Sequence, residues 1–142
     1  MNVVIGADHA GFELKALLHR WLEGQGFAVQ DVGTFSDEST DYPDYAHAVG
    51  RAVSAGKADW GVVICGSGNG VCMTVNKHPG VRAALCWNKE IARLAKAHNN
   101  ANVMCLPARF IHPADAVEML YTYLNTPFEG GRHQRRIEKI DG

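Results

Sequence analysis

Short β-branched runs alternate with helical periodicity along this chain, and that alternation constrains its fold more than any other feature. Val3-Val4-Ile5 reads as a strand, and Leu14, Leu17, Leu18, Trp21 and Leu22 then recur at helical spacing until Gly24 and Gly26. Phe27-Ala28-Val29 with Val32 suggests a second strand, and a polar loop from Gly33 to Pro43 leads to a helix marked by Ala46, Val49, Ala52 and Val53. Gly61 to Ile64 predicts a third strand, followed by a helix from near Gly70 to before Pro79-Gly80. Val81 to Cys86 and Val103 to Leu106 predict the fourth and fifth strands, with a helix at Ile91, Ala92 and Ala95 between them. Pro113 suits a first helical position, with Val117, Leu120, Tyr121 and Leu124 carrying the period. Beyond Thr126-Pro127 and Gly130-Gly131, a last helix is expected from about Arg132 to Ile140, free to dock on its own subunit or on a neighbour. Strands alternating with helices imply right-handed crossovers and a parallel sheet covered on both faces. The expectation is one doubly wound, five-stranded α/β domain over residues 1–142.

At 142 residues the chain can bury a sizeable core, and 46% hydrophobic with 20% charged content is ordinary for a globular protein. A formal net charge of −1 gives no bulk attraction to nucleic acid or anionic membrane, so any anion site must be local. No apolar stretch approaches a membrane span, and no basic leader with a cleavage site precedes the first strand. Four cysteines (Cys65, Cys72, Cys86, Cys105) lack any C-x-x-C pair and sit mostly in apolar runs, which suits reduced thiols in a cytoplasm.

In doubly wound sheets ligands bind beyond the carboxyl ends of the strands, here Asp8-His9, Cys65 to Gly70, Trp87-Asn88 and Arg109. The segment Cys65-Gly66-Ser67-Gly68-Asn69-Gly70 is the most informative of these. Glycines let the backbone approach a ligand and turn amides toward one anion. A thiol at the mouth of such a loop offers a base or nucleophile. The same loop would also serve as a plain tight connection around a small buried hydrophobe.

Several chemistries are excluded. Val71 stands where a dinucleotide fingerprint needs its third glycine and where a cysteine phosphatase needs its arginine. No Walker loop and no H-E-x-x-H occurs, and the seven histidines are dispersed, which predicts no protein-bound metal. Helix capping would explain Asp8 but not the neighbouring His9. His98-Asn99-Asn100 is turn-like, and His98 gains weight only if the fold brings it to Cys65. Arg132 and Arg136, four apart, share one helix face and suit a phosphate monoester, though a solvated basic face has the same pattern. A thiol, an oxyanion-type loop, histidines and arginines together suit proton transfer beside a carbonyl in a small phosphorylated substrate.

The residues also match a known family. The chain resembles ribose-5-phosphate isomerase type B, in the superfamily that includes galactose-6-phosphate isomerase subunits. The marks are Gly6-Ala7-Asp8-His9-Ala10-Gly11, Thr40-Asp41-Tyr42-Pro43, Cys65 to Gly70, Asn76-Lys77, His98-Asn99 with Asn102-Val103, and Gly130-Gly131-Arg132-His133-Gln134-Arg135-Arg136. The resemblance implies a Rossmann-like fold, no metal or cofactor, and a homodimer or homotetramer with sites completed across the dimer interface. It implies Cys65 as the base that moves a proton between C1 and C2 of the opened sugar. Ser67 and the amides of Gly66, Gly68, Asn69 and Gly70 would hold the enediolate oxygens. His98 would open the ring, with His133 its rival, and Asp8 and Asn99 would bind hydroxyls. His9, Arg109, Arg132 and Arg136 would take the phosphate, and Tyr42 would line the pocket. His98, Asn99 and Arg109 would then come from the partner subunit.

Cys65 with Val71 resembles the branch of the family that uses this cysteine, whereas Ser67-Gly68-Asn69 is closer to the branch that carries a glutamate after the loop. The expected activity is interconversion of ribose 5-phosphate and ribulose 5-phosphate in the pentose phosphate pathway. Alternatives are isomerisation of a six-carbon sugar phosphate such as allose or galactose 6-phosphate, a non-catalytic sugar-phosphate-binding subunit, and a nucleotide binder.

Overall fold

Each apolar run becomes a strand in the computed structural model, which describes residues 1–142. The strands are β1 (Asn2–Ala7), β2 (Ala28–Asp31), β3 (Trp60–Cys65), β4 (Ala83–Leu85) and β5 (Val103–Pro107). The helices are α1 (Phe12–Gly24), α2 (Tyr42–Ser54), α3 (Asn69–Val75), α4 (Lys89–Ala97), α5 (Pro113–Leu124) and α6 (Arg132–Ile137). All strand pairs are parallel, in the order β2-β1-β3-β5-β4. This is the doubly wound α/β architecture that the alternation predicts. The order reverses between β1 and β3, and in open sheets of this kind that reversal opens a crevice at the carboxyl ends.

The two-residue period of a strand divides the core in two. Val3, Ile5, Val62, Ile64, Met104 and Leu106 face one side, under Leu18 and Leu22 of α1, Ala92 of α4 and Met119 and Leu120 of α5. Val4, Val63, Cys65, Val103 and Cys105 face the other, under Ala46 and Val49 of α2 and Val71 and Val75 of α3. Burying each such Leu, Ile or Val contributes about 1.5–3 kcal/mol against the entropy of ordering the chain. No residue of α6 is fully buried, and the segment meets its own subunit through the His133 ring on His98 and through Ile140, which shares a groove with Val81 and Ala83.

Element ends differ from the sequence expectation where side chains or turns take over backbone bonds. The amide of Phe27 donates to Leu22 O at 3.1 Å and so finishes the α1 turn instead of joining β2. β4 is shorter than Val81 to Cys86 because asparagines bracket it. Asn102 accepts from the Arg82 amide at 2.7 Å and donates to Gly80 O at 2.9 Å. Asn76 accepts from the Ala83 amide at 2.8 Å and donates to Ala83 O at 3.0 Å. These two motif residues thus have a structural duty, holding an edge strand by amide mimicry of the ladder. The last helix stops at Ile137, and single-turn bonds such as Ile140 N to Ile137 O at 3.0 Å continue it.

One ion pair is nearly dry. Lys15 of α1, 2% exposed, places Nζ 2.6 Å from Oδ2 of Asp31, which ends β2. His19 Nδ1 lies 3.0 Å from the same oxygen, and the Gly33 amide donates to Oδ1 at 2.9 Å. Burial alone would raise the Asp31 carboxyl, but the bonds from Lys15, Gly33 and His19 outweigh it and hold it below the usual carboxylate range.

Candidate active site

The crevice at the carboxyl ends of β1, β3 and β5 contains a cavity of about 520 Å³ lined by Asp8, Tyr42, Cys65, Gly66, Ser67, Gly70, Arg109 and Phe110. Seven of these positions are expected from the sequence, and Phe110 is not. It carried no motif, although it follows β5 at the ligand edge. Each element delivers its residue by strand geometry. Asp8 follows β1, Cys65 ends β3, and the segment after β5 returns to the loop through Ala108 N to Cys65 O at 2.9 Å and Arg109 N to Gly66 O at 3.0 Å.

The loop after Cys65 keeps its donors free. The amides of Gly66, Ser67 and Gly68 donate to no group of the chain, whereas the Asn69 amide donates to Ser67 Oγ at 3.2 Å. Ser67 therefore spends an acceptor lone pair on its own loop and retains its O–H to donate. Gly68 sits at φ +76°, a left-handed conformation, and a Cβ there would stand 2.5 Å from Leu85 Cδ1. Gly70 packs directly against the Tyr42 ring, so a side chain there would displace it.

Asp8 both caps and lines the cavity. Its Oδ1 accepts from the amides of Ala10 at 3.0 Å and Gly11 at 3.3 Å, while the residue stays 6% exposed. Capping accounts for its orientation, and the second oxygen is left for the cavity. The Thr40 amide donates to His9 Nδ1 at 3.1 Å. A neutral His9 then carries its hydrogen on Nε2 and presents a donor there. His9, Gly68 and Asn69 do not line this cavity.

Of the four cysteines only Cys65 reaches the cavity. Burial pushes the Cys86 thiol up to about 12 and raises Cys105 strongly, so both stay protonated at neutral pH. The hydrogen bond with Cys105 lowers Cys72, against its burial.

His98 and Asn99 lie elsewhere. With His133, Arg136, Ile137 and Ile140 they line a second cavity of about 320 Å³. The reason is topological. Asp8 and Arg109 follow their strands and Cys65 ends its own, whereas His98 precedes β5, and parallel strands put those positions at opposite ends of the sheet. The five residues of β5 alone span roughly 13 Å at the usual rise. One chain therefore does not bring His98 to Cys65. Arg109 behaves differently, because a Cβ on Gly66 would stand 3.0 Å from Nη1 of the same chain's Arg109. No partner is needed to bring Arg109 to this cavity.

The second cavity has its own constellation. The rings of His98 and His133 stack with centroids 4.2 Å apart at 10°. Glu129 Oε1 lies 3.6 Å from Nε2 of both. Burial, then His98 and Arg132, hold His133 below the usual imidazole value. By distance alone His98, Glu129 and His133 could hold a metal ion, their donor atoms lying within 4.8 Å of one another. Dispersion in the sequence conceals this grouping. Arg132 and Arg136 beside it favour an anion over a cation.

Comparisons with known proteins place the chain among its relatives. A family model described as Ribose/Galactose Isomerase matches residues 3–140. The chain is 41% identical over 139 residues to the ribose-5-phosphate isomerase B of Escherichia coli, covering 98% of this chain and 93% of that one. A crystal structure of a ribose 5-phosphate isomerase from Thermotoga maritima superposes with a TM-score of 0.96 at 48% identity, covering 99% of this chain and 97% of that chain. A ribose-5-phosphate isomerase B from Mycoplasma genitalium, solved with bound ribulose-5-phosphate, gives 0.94 at 44% identity, with 98% and 93% covered. With this match along its length and with the marked loop at the predicted crevice, the chain belongs to the ribose/galactose isomerase family.

Proposed function

We infer that this chain is an aldose–ketose isomerase that interconverts D-ribose 5-phosphate and D-ribulose 5-phosphate, the aldose-to-ketose step of the pentose phosphate pathway. One observation carries the reading. The Cys65 thiol shares a cavity with Asp8, Arg109 and a loop whose amides at Gly66, Ser67 and Gly68 are unpaired. That arrangement pairs a base with donors for a developing enediolate, where each donor is typically worth about 2.7–4 kcal/mol.

In the proposed reaction His98 first helps open the furanose. Cys65, as thiolate, then takes the proton from C2 of the aldehyde, and the carbonyl at C1 becomes an enediolate oxygen. Ser67 O–H and the amides of Gly66, Gly68, Asn69 and Gly70 hold that charge. Passage of the O2 proton to O1 and return of the carbon-bound proton to C1 leave the ketone at C2 and a hydroxyl at C1. Asp8 and Asn99 hold hydroxyls, and Tyr42 walls the pocket. Arg109, His9, Arg132 and Arg136 fix the phosphate, which turns remote binding energy into positioning.

His98 and Cys65 stand at opposite ends of one sheet, so the site is proposed to be completed by a second copy of the chain, as a homodimer or a pair within a homotetramer. The unit is a single domain over residues 1–142, working in the cytoplasm without metal or cofactor. No helix is long and apolar enough to cross a membrane.

The test is turnover in EDTA with ribose 5-phosphate, allose 6-phosphate and galactose 6-phosphate side by side. The expected outcome is conversion of ribose 5-phosphate with kcat/KM at least about tenfold above either hexose phosphate, since a single methylene is worth roughly 10–200-fold in discrimination. Preference for a hexose phosphate would move the assignment to a six-carbon isomerase. Binding without turnover of any of the three would make the chain a sugar-phosphate-binding subunit.

A further inference from the structure

We propose that Glu129 is the positioning residue for ring opening, holding His98 with hydrogen on Nε2 so that Nδ1 is the nitrogen that takes the sugar's proton. This rests on the isomerase reading above. Glu129 is fixed where it can act, because its amide donates to Ala97 O at 2.9 Å, on the turn that carries His98. Its Oε1 stands 3.6 Å from Nε2 of His98 and 3.6 Å from Nε2 of His133. At 3.6 Å this is an ion-pair contact, not a hydrogen bond, and a carboxylate facing Nε2 favours a hydrogen there over a lone pair, which leaves Nδ1 as the accepting nitrogen.

The stacked pair divides the labour. Two imidazolium rings 4.2 Å apart would repel each other, which disfavours charge on the more enclosed ring. His133, 12% exposed in its side chain and flanked by Arg132 and Arg136, is the disfavoured one. His98, 38% exposed in its side chain, is the more open to substrate. The charged groups acting on His133 are Arg132, Arg136 and Glu129, and Arg93, which pairs with Glu90 at 2.6 Å, lies within electrostatic reach of Glu129.

The step balances without any co-reactant. His98 Nδ1 takes the proton from O1 of the furanose, the C1–O4 bond breaks, and C1–O1 becomes the aldehyde carbonyl. The same proton then passes from Nδ1 to O4, leaving the open sugar with its 4-hydroxyl and His98 neutral again. Glu129 stabilises the imidazolium that exists between the two transfers, the role a carboxylate takes behind a catalytic histidine.

Ribulose 5-phosphate separates this step from the rest. Its C5 oxygen carries the phosphate, so it cannot form a furanose and needs no ring opening. Exchange of its C1 hydrogen with deuterated water reports the Cys65 step alone. Glu129→Gln is expected to lower kcat on ribose 5-phosphate at least about tenfold, part of the 10²–10⁴ that general acid–base catalysis supplies, with the exchange rate held within about twofold. Equal losses in both assays would make Glu129 a structural residue, and no loss in either would leave it without a role. Either result overturns the proposal. If the unaltered protein neither converts ribose 5-phosphate nor exchanges ribulose 5-phosphate, the isomerase reading itself falls, and the proposal with it.

Discussion

Cys65→Ala is expected to lower kcat on ribose 5-phosphate by about 10²–10⁴-fold, with KM changed only a few-fold. The asymmetry follows from the geometry. The thiol lines the cavity among free amides, while the expected phosphate anchors Arg109, Arg132 and Arg136 keep their places. The residue is small, and truncation at the end of β3 removes one sulfur from a position 5% exposed, so the fold is expected to hold. The checks are steady-state kinetics and deuterium exchange at C1 of ribulose 5-phosphate, which falls with kcat if Cys65 is the base. A raised KM with kcat intact would make Cys65 a binding residue instead.

Lys15→Met is expected to cost about 3 kcal/mol of unfolding free energy, the lower end of the range for removing one member of a buried ion pair. Lys15 is 2% exposed but Asp31 keeps 13% of its side-chain surface, so water screens part of the loss. The pH dependence has a definite sign. In the unaltered chain the Asp31 carboxyl lies below its unfolded value, so it contributes stability above that value and loses it as the pH falls through the folded one. Without Lys15 the burial that raises Asp31 is opposed only by Gly33 and His19, and the carboxyl moves upward. The difference between the two proteins is therefore largest near neutrality and shrinks on acidification below about pH 4. Urea unfolding across that range measures it, and a difference independent of pH would show that the pair contributes by packing alone.

Particular residues explain what the sequence reveals and what it conceals. The β-branched runs announce their strands because a sheet covered on both faces needs apolar side chains at consecutive positions, as Val62, Val63 and Ile64 have. The glycine loop is legible for a similar reason, since Gly68 holds a positive φ and Gly70 meets a ring. Asn76 and Asn102 look chemical in a motif but serve the backbone of β4, a distinction that appears only when the amides are paired off. Arg109 follows its strand and joins Cys65, while His98 precedes the same strand and does not. That order is visible in the chain itself and needs only the parallel topology to interpret. Glu129 is hidden, because its meaning lies in two histidines that the fold stacks from separate segments.

The central claim is a site built in two halves, Cys65 with its loop from one chain and His98 with its neighbours from another. Subunit complementation tests it most directly. Cys65→Ala and His98→Asn are prepared as separate low-activity proteins, then mixed during refolding so that subunits pair at random. Half of the resulting dimers are hybrids, and each hybrid has one doubly altered site and one unaltered site, so recovery of about a quarter of full activity is predicted. If hybrids form and activity stays at the level of the separate variants, Cys65 and His98 belong to the same chain's site and the two-halves account is wrong.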